Sequence, residues 1–374
     1  MPGTSPRTRL IFQNSNLFVA PAGQNGTTAT GALYSSGNSG VSYFQEISRV
    51  QSIDLSVGIA RQDINVFGRL NRISAEILTP PTINLNFSYY LTDGANEDAL
   101  GFAAKGGGSF VSGMITNTSN SKNYFVSYSP QGQDDDSFAT ANQRDVIGIG
   151  NGYITNYSIN AAVNQPVTAS ASVEGFNIAF YTGSSNKTTP AVNPYNSARI
   201  NNWTFTLPVG DAQTGVNTLP ILKPGDIVMS IPNSAGFGSY VSGDYAVNIQ
   251  SFTLSVPIAR QRILKLGSPF GISNEIQFPV NCTLSMQAVQ TDLQENSLDQ
   301  LICNDSQKDV AILLRKAGCN GTGAPAINLQ FNRAYTTNYA LNQTIGNNAT
   351  VTIDMNAQLA GATNTDGVVF SGYF

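Results

Sequence analysis

Apolar and polar residues alternate along several short stretches of the chain. Residues 51–62 read QSIDLSVGIARQ, with Ile, Leu, Val and Ile at every second position from 53 to 59. Residues 83–89 read INLNFSY and alternate in the same way. Because successive side chains of a β-strand point to opposite faces, each stretch predicts a strand with one apolar and one polar face. The pattern therefore predicts a mainly β protein.

The first of these stretches is written twice. Residues 250–261 read QSFTLSVPIARQ, 199 positions after the first occurrence, and this offset gives 19 identities in the 44 positions from Val50 to Asp93. Farther on, TNYSINAAVNQPVTASASVEG from Thr155 aligns with TNYALNQTIGNNATVTIDMNA from Thr337 at an offset of 182, which predicts a long hairpin in both places. We interpret the chain as two tandem repeats of one domain.

Each repeat also contains one predicted helix. Thr92-Asp93 can cap the segment TDGANEDALGFAAK, and Thr291-Asp292 can cap TDLQENSLDQLICN. The expected fold is therefore mainly β, with two tandem β-sandwich domains that each have one short flanking α-helix and a long hairpin. The first domain is predicted over residues 1–190, including an N-terminal arm, the linker over 191–222, and the second domain over 223–374.

Composition argues against most enzymatic chemistry. Only 11% of residues are charged, the net charge is −4, and histidine is absent. The lack of histidine removes the commonest general base, the usual zinc ligand and the serine-hydrolase triad. A net negative chain is also a poor binder of nucleic-acid phosphates. We expect a protein without enzymatic activity, cofactor or metal.

Three smaller features of the sequence also bear on the class of protein. Cys282, Cys303 and Cys319 are predicted to be buried thiols of a protein made in a reducing cytosol. The run Asp134–Asp136 lacks the spacing of a calcium loop and is predicted to be a solvated loop. The N-terminal residues lack the apolar core of a secretory signal, and no apolar run is long enough to predict a membrane-spanning helix.

Four features recur in the same order in each repeat: the early alternating strand, the second strand after IS-x-EI, the helix that begins near Thr92, and the late TNY hairpin. In this order they resemble the tail tube proteins of long-tailed bacteriophages. The resemblance implies tail-tube-type β-sandwich domains that polymerise into stacked rings around a central channel. The doubled chain resembles the fused form, in which three chains build a pseudo-sixfold ring.

The resemblance also implies partners and a location. The chain would be a structural virion protein of the tail, assembled in the cytoplasm of a bacterial host and not associated with a membrane. Its partners would be copies of itself in homotrimeric rings, a tape-measure protein, a tail terminator, and baseplate or tip proteins. DNA would pass through the channel without sequence-specific binding.

Two groups of residues are candidates for these roles. An arginine and a glutamine follow the alternating strand in both repeats, each with a glutamate fifteen residues after the arginine, and we expect a contact between subunits or rings there. The alternative is a pair of solvated surface charges that contribute little. The interface candidates are Arg61, Gln62, Glu76, Arg260, Gln261 and Glu275.

The second group is the polar face of the alternating strands. A channel that passes DNA should be hydrophilic and should lack rows of lysine and arginine, which would hold phosphates. The same polarity also fits an ordinary exposed sheet face. The candidates for the lumen are Ser52, Asp54, Ser56, Asn84, Asn86, Ser88, Ser251, Thr253 and Ser255.

Other functions stay open at this point. A tail-tip, neck or other tail ring protein would share the fold. A secreted carbohydrate-binding or glycoside-cleaving β protein would fit the composition but should show aromatic platforms or a pair of carboxylates in a cleft. An outer-membrane barrel would need a signal peptide and aromatic girdles, whereas the chain has a single tryptophan, Trp203.

Overall fold

A computed structural model gives the fold. The residues that it describes are 15–22, 44–105, 108–116, 121–129, 135, 144–183, 187–193, 204–205, 207–208, 221–222, 227–230, 249–268, 270–289, 307–316, 323–343, 348–359 and 361–373.

Most of these residues belong to strands, so the prediction of a mainly β protein is confirmed. The strands before residue 210 are β1 (Ser15–Pro21), β2 (Gln45–Glu46), β3 (Val50–Gly58), β4 (Gln62–Ile64), β5 (Ser74–Glu76), β6 (Thr82–Tyr90), β7 (Lys122–Tyr128), β8 (Asp145–Ala162), β9 (Thr168–Gly175), β10 (Asn177–Tyr181), β11 (Lys187–Thr188) and β12 (Thr204–Phe205). Those after it are β13 (Ile227–Ser230), β14 (Ile249–Pro257), β15 (Arg260–Ile263), β16 (Ser273–Ile276), β17 (Asn281–Val289), β18 (Lys308–Arg315), β19 (Pro325–Asn342), β20 (Thr350–Gln358) and β21 (Gly367–Gly372).

Hydrogen bonds join 15 of these strands into one sheet, because β8 and β19 each run through two layers. The inner layer is an antiparallel series in the order β3-β6-β9-β8-β14-β17-β20-β19, which uses the C-terminal halves of the two long strands. The outer layer has the series β1-β7-β8-β10 and β13-β18-β19-β21, which use the N-terminal halves.

The strand pairing of the second half follows that of the first, residue by residue. Leu55 lies opposite Leu85, and Leu254 lies opposite Leu284, both displaced by 199 positions. The bulges match as well, since the register shifts after Val50 in β3 and after Ile249 in β14. The β8–β9 and β19–β20 pairs agree in the same way at the offset of 182.

The apolar faces of the two layers enclose a common core. In the first half, Leu85 and Phe87 of β6 pack in one buried cluster with Tyr124 of β7, and the rings of Phe87 and Tyr124 lie 6.3 Å apart. In the second half, Leu284 of β17 and Leu329 of β19 belong to the same cluster. The alternation of the sequence therefore produces a β-sandwich, in which the six inner strands between β3 and β19 each have one buried and one accessible face.

The helical content is lower than the sequence predicts. Helix α1 covers only Ala95–Leu100, and a second short helix, α2, covers Ser112–Thr116. The N-cap position of α1 is Gly94, which makes no side-chain cap, while Asp93 Oδ1 accepts a hydrogen bond from the Ala95 N–H. Gly94 and Gly101 both have left-handed backbone angles, and these limit the helix to fewer than two turns. The helix predicted after Thr291 lies outside the described residues.

The prediction of a solvated loop is wrong for Asp135. Its carboxylate is buried 3.2 Å from the equally buried Arg144 and accepts hydrogen bonds from Ser127 and Ser129. Arg144 also donates to the carbonyl oxygens of Pro208, at 2.6 Å, and of Asp135, at 2.7 Å. The carboxylate can be buried because a guanidinium nine positions along the chain neutralises it.

The predicted linker supplies side chains to the core. Phe205 and Leu207 pack with Phe18 and Phe125 in a second buried cluster. Cys282 is buried, as predicted, on the apolar face of β17, while the other two cysteines lie outside the described residues. No helix in the described part of the chain is long and apolar enough to cross a membrane.

Candidate assembly surfaces

The inner layer presents a polar face that contains all nine of the predicted lumen residues. Ser52, Asp54 and Ser56 of β3 lie directly opposite Ser88, Asn86 and Asn84 of β6, respectively. On β14, the alternate residues Ser251, Thr253 and Ser255 share this face, because Ser255 joins the same cross-strand row as Ser158 of β8. All nine are exposed or half-buried, whereas their apolar neighbours on β6 and β14 are buried. Their place in a lumen stays a prediction.

Hydroxyl and amide groups cover this face from one edge to the other. One row runs across seven strands through Ser52, Ser88, Ser170, Ser158, Ser255, Thr283 and Asn356. The hydroxyl oxygens of Ser52 and Ser88 are 2.6 Å apart, and those of Ser158 and Ser170 are 3.0 Å apart.

The charges on this face are acidic. All eight strand segments of the inner layer are described. Their outward positions, which are those on the polar face, include Asp54, Glu174 and Asp354 but no lysine or arginine. Ser285 and Asn338 donate hydrogen bonds of 2.6 and 2.9 Å to Asp354. A face with these groups hydrates well, and the carboxylates of Asp54 and Asp354 repel phosphate.

The two repeats meet edge to edge inside one chain. β8 of the first repeat and β14 of the second pair antiparallel over seven residues, with Ile159 opposite Leu254. The pairing extends past the strand end, where the Ile258 N–H donates to the Thr155 carbonyl at 2.9 Å. The inner layer therefore crosses from one repeat to the next without interruption.

The β15–β16 hairpin of the second repeat packs against this junction, where Arg260 contacts the first repeat. Arg260 Nε donates to the Ile154 carbonyl at 2.6 Å, and Nη1 donates to the Asn274 carbonyl at 2.9 Å. The guanidinium lies over the ring of Tyr153, 5.3 Å from its centroid. Burial lowers the pKa of Arg260 to about 10, so the side chain stays charged at neutral pH.

Arg262 makes a second bridge between the repeats that sequence reasoning missed. Its Nη2 lies 2.7 Å from Glu174 Oε1, and its guanidinium lies 4.6 Å from the centroid of the Phe176 ring. Asn274 Nδ2 donates to the other oxygen of Glu174 at 3.4 Å. The first repeat has Asp63 at the matching position, so Arg262 is not a residue that the two repeats share.

The β4–β5 hairpin is the first-repeat equivalent, and it is exposed. Arg61 Nη1 donates to the Ala75 carbonyl at 3.3 Å, which corresponds to the Arg260–Asn274 hydrogen bond of the second repeat. Arg61, Gln62 and Glu76 are all exposed.

The predicted glutamates lie opposite glutamine, not arginine. Glu76 pairs in register with Gln62, and Glu275 with Gln261. Among the described residues, neither glutamate forms an ion pair with the arginine of its hairpin. The structure thus places Arg260 in a contact between repeats and leaves Arg61 without one, and the role of the six residues between subunits stays a prediction.

Identical apolar residues also differ in exposure between the two hairpin regions. Val256 and Ile258 are fully buried, whereas Val57 and Ile59 are 45% and 52% exposed. The difference arises because β14 is covered by β8, while one edge of β3 has no strand partner among the described residues.

The hairpin tips present a further apolar surface. Phe67 and Leu266 occupy equivalent positions, and both side chains are fully exposed. Each precedes a glycine, Gly68 or Gly267, with a positive φ that forms the tip of the turn. Apolar side chains are therefore held into solvent at the same place in both repeats.

A buried carboxyl group lies beneath the inner layer in the first repeat. Tyr89 and Tyr157 donate hydrogen bonds of 2.6 and 2.9 Å to Glu97 Oε1. Burial raises the pKa of Glu97, although the two hydrogen bonds act in the opposite direction, and burial raises the pKa of both tyrosines. Tyr89 is replaced by Ala288 in the second repeat, so the repeated sequence gave no signal for this cluster.

The described residues offer no metal centre, since no group of three or more His, Cys, Asp or Glu side chains is placed to hold an ion.

No protein-family model matches this chain, and no curated protein sequence matches it significantly. Among solved structures, a chain of the tail of an empty GTA particle, determined by helical refinement with C6 symmetry, is similar at 12% identity and a TM-score of 0.24. The match covers 41% of this chain and 98% of that one. A chain of the six-fold symmetrised baseplate of the anti-feeding prophage is similar at 11% identity and a TM-score of 0.25, over 39% of this chain and 91% of that one. At these scores the similarities carry no functional argument.

Proposed function

We propose that the chain is a tail tube subunit of a phage-type virion, in which three copies form a ring and the rings stack into a conduit for DNA. The observation that carries the proposal is the inner layer. Two like units of four strands lie side by side in one chain, and both ends of the layer are open among the described residues. Head-to-tail contacts between like units close into a ring when the rotation allows.

The dimensions of such a ring fit the proposal. Three chains would supply 24 inner strands, and a strand spacing of about 4.8 Å with a tilt of about 40° gives a barrel roughly 48 Å across. Side chains occupy about 5 Å on each side, which leaves about 38 Å, wider than duplex DNA. Two chains with 16 strands would leave only about 22 Å by the same estimate, with little room for water around a duplex.

The chemistry of the inner face supports the same role. Serine, threonine and asparagine provide a hydrated surface, and the only charged residues at its outward strand positions are Asp54, Glu174 and Asp354. DNA would therefore pass without being held at its phosphates. In this proposal the chain is a structural protein of the virion tail, without catalysis or cofactor.

The remaining partners rest on the family resemblance. A tape-measure protein would set the length of the tube, while a terminator and baseplate or tip proteins would bind its two ends. Assembly would take place in the host cytoplasm, and the exposed hairpin tips at Phe67 and Leu266 would contact the next ring.

Electron microscopy of the purified chain tests the proposal, together with mass measurement over a range of concentrations. We expect rings with the mass of three chains that stack into tubes of variable length around a central hole. The variant Phe67→Ser/Leu266→Ser is the matched comparison, because both side chains are fully exposed and the fold should not change; it should form rings that stack poorly. Single rings that never stack would favour a tip or neck protein. A chain that stays monomeric at every concentration would refute both.

A further inference from the structure

We infer that β3 of one chain pairs with the C-terminal half of β19 in a neighbouring copy, in one fixed register, and that Arg61 then docks on Tyr335 of that neighbour. The inference rests on the proposed function, since it names the residues that would close the ring. Its template is the junction between the two repeats inside a single chain.

The register follows when the sequence offsets between the repeats are applied to the residue pairs of the in-chain junction. There, β14 pairs with β8, and Thr253 lies opposite Asn160. β3 precedes β14 by 199 positions and β19 follows β8 by 182, and both offsets hold in every strand pair of the inner layer that the repeats share. The translated pairs between chains are Asp54 with Asn342, Leu55 with Leu341, and Ser56 with Ala340.

The two edges carry the surface that such a contact would cover. At the β3 edge, Val57 and Ile59 are exposed although Val256 and Ile258 are buried at the junction. At the β19 edge, Tyr335 is 42% and Leu341 43% exposed, whereas the equivalent Tyr153 and Ile159 are buried. Each exposed residue thus has an in-chain counterpart that the neighbouring repeat covers.

Arg61 is already held in the position that Arg260 takes at the junction. The Arg61–Ala75 hydrogen bond matches the Arg260–Asn274 hydrogen bond, so the two hairpins hold their guanidinium groups alike. The partners of Arg260 are the Tyr153 ring and the Ile154 carbonyl, and translation by 182 gives Tyr335 and Thr336. Arg61 would therefore lie over the neighbour's Tyr335 and donate to its Thr336 carbonyl.

The differences between the repeats also select the partner. Glu174 is neutralised by Arg262 inside the chain. The first-repeat hairpin carries Asp63 instead, which is paired with Arg72 at 2.8 Å, and the position equivalent to Glu174 is Asn356. Asp63 would repel Glu174 but can accept a hydrogen bond from the amide of Asn356, so the first-repeat hairpin suits the β19 end of the neighbour.

Disulfide cross-linking tests the register. The variant Asp54→Cys/Asn342→Cys is assembled and oxidised in a background with Cys303→Ser and Cys319→Ser. Directly opposed residues have Cβ atoms about 5 Å apart, which a disulfide can span with small adjustment. We expect covalent dimers and trimers on a denaturing gel, which disappear on reduction.

Two variants in the same background serve as controls. Asn160→Cys/Thr253→Cys is the equivalent pair inside one chain, and it should close within the monomer. Asp54→Cys/Asn338→Cys lies four residues out of register, about 14 Å, and should not close. Tubes that form while only the in-chain pair closes would overturn the inference and leave the proposed function standing. A chain that never assembles would refute the proposed function and the inference together.

Arg61 is tested separately with paired variants. Arg61→Ala should raise the concentration for half-assembly about tenfold, as expected for a lost cation–π contact and hydrogen bond. Tyr335→Phe retains the ring and should assemble nearly as the parent does, whereas Tyr335→Ser should behave like Arg61→Ala. Equal assembly of all three variants and the parent would overturn the docking of Arg61 on Tyr335.

Discussion

Ile59 and Ile258 are the same residue at equivalent positions, and the structure predicts that truncating them has different effects. Ile258 is fully buried at the junction of the repeats, and its backbone N–H is bonded to Thr155. Ile59 is 52% exposed beside the open edge of β3. The two substitutions to alanine are therefore chemically identical and differ only in what surrounds the side chain.

The expected magnitudes follow from burial. Ile→Ala in a packed core costs about 2–5 kcal/mol, because apolar contact is lost and a cavity remains. Ile258→Ala should fall in this range, at about 3 kcal/mol. Ile59→Ala removes a half-exposed side chain and leaves no closed cavity, so it should cost about 1 kcal/mol or less. A difference of about 2 kcal/mol is roughly a thirtyfold difference in the unfolding equilibrium.

Urea unfolding of the unassembled chain, at concentrations below assembly, measures both effects. Ile258→Ala should lower the midpoint clearly, and Ile59→Ala should unfold close to the parent. On assembly, by contrast, Ile59→Ala should have the larger effect of the two variants, because it removes apolar surface that the neighbouring copy would bury. Equal destabilisation of the unassembled chain by the two variants would show that the open edge of β3 is covered in the monomer, and the reasoning would be wrong.

Two further predictions concern buried ionisable groups. Since burial raises the pKa of Glu97, the folded state holds its proton above the pKa of the unfolded chain, and stability should fall as pH rises from about 4.3 through the folded pKa. Glu97→Gln cannot ionise, so its stability relative to the parent should increase over this window in urea unfolding at several pH values, with Glu76→Gln as the exposed control; a decrease would contradict the assignment. Burial raises the pKa of Cys282 to about 12, so alkylation at pH 8 followed by peptide mass analysis should leave it unmodified in the native chain and label it after denaturation. Rapid labelling of the native protein would contradict its burial.

The pattern of the sequence was sufficient for the architecture of the inner layer. Alternation located β3, β6, β14 and β17, because a strand with one buried face must repeat every second residue. The offsets of 199 and 182 also relate the strand registers of the two repeats, because a slip by one residue would turn every apolar side chain to the wrong face. The repeated polar residues identified the outward face for the same reason.

The extent of the helices could not be obtained in this way. The segment after Thr92 has a helical pattern, yet Gly94 and Gly101 end α1 after six residues. Asp135 looked solvated because its partner Arg144 is separated from it in sequence and meets it only in the folded chain.

The repeat in the amino-acid sequence is enough to show that Arg61 and Arg260 occupy equivalent places at the end of equivalent strands. That Arg260 is enclosed and Arg61 exposed is a property of the folded chain, because burial depends on what lies beside a residue and not on its local sequence. Arg260 meets Tyr153 and Ile154 of the preceding repeat, whereas no described part of the same chain lies in the equivalent place beside Arg61. Two identical tetrapeptides, IARQ, thus have different surroundings because the inner layer of a single chain has a beginning and an end.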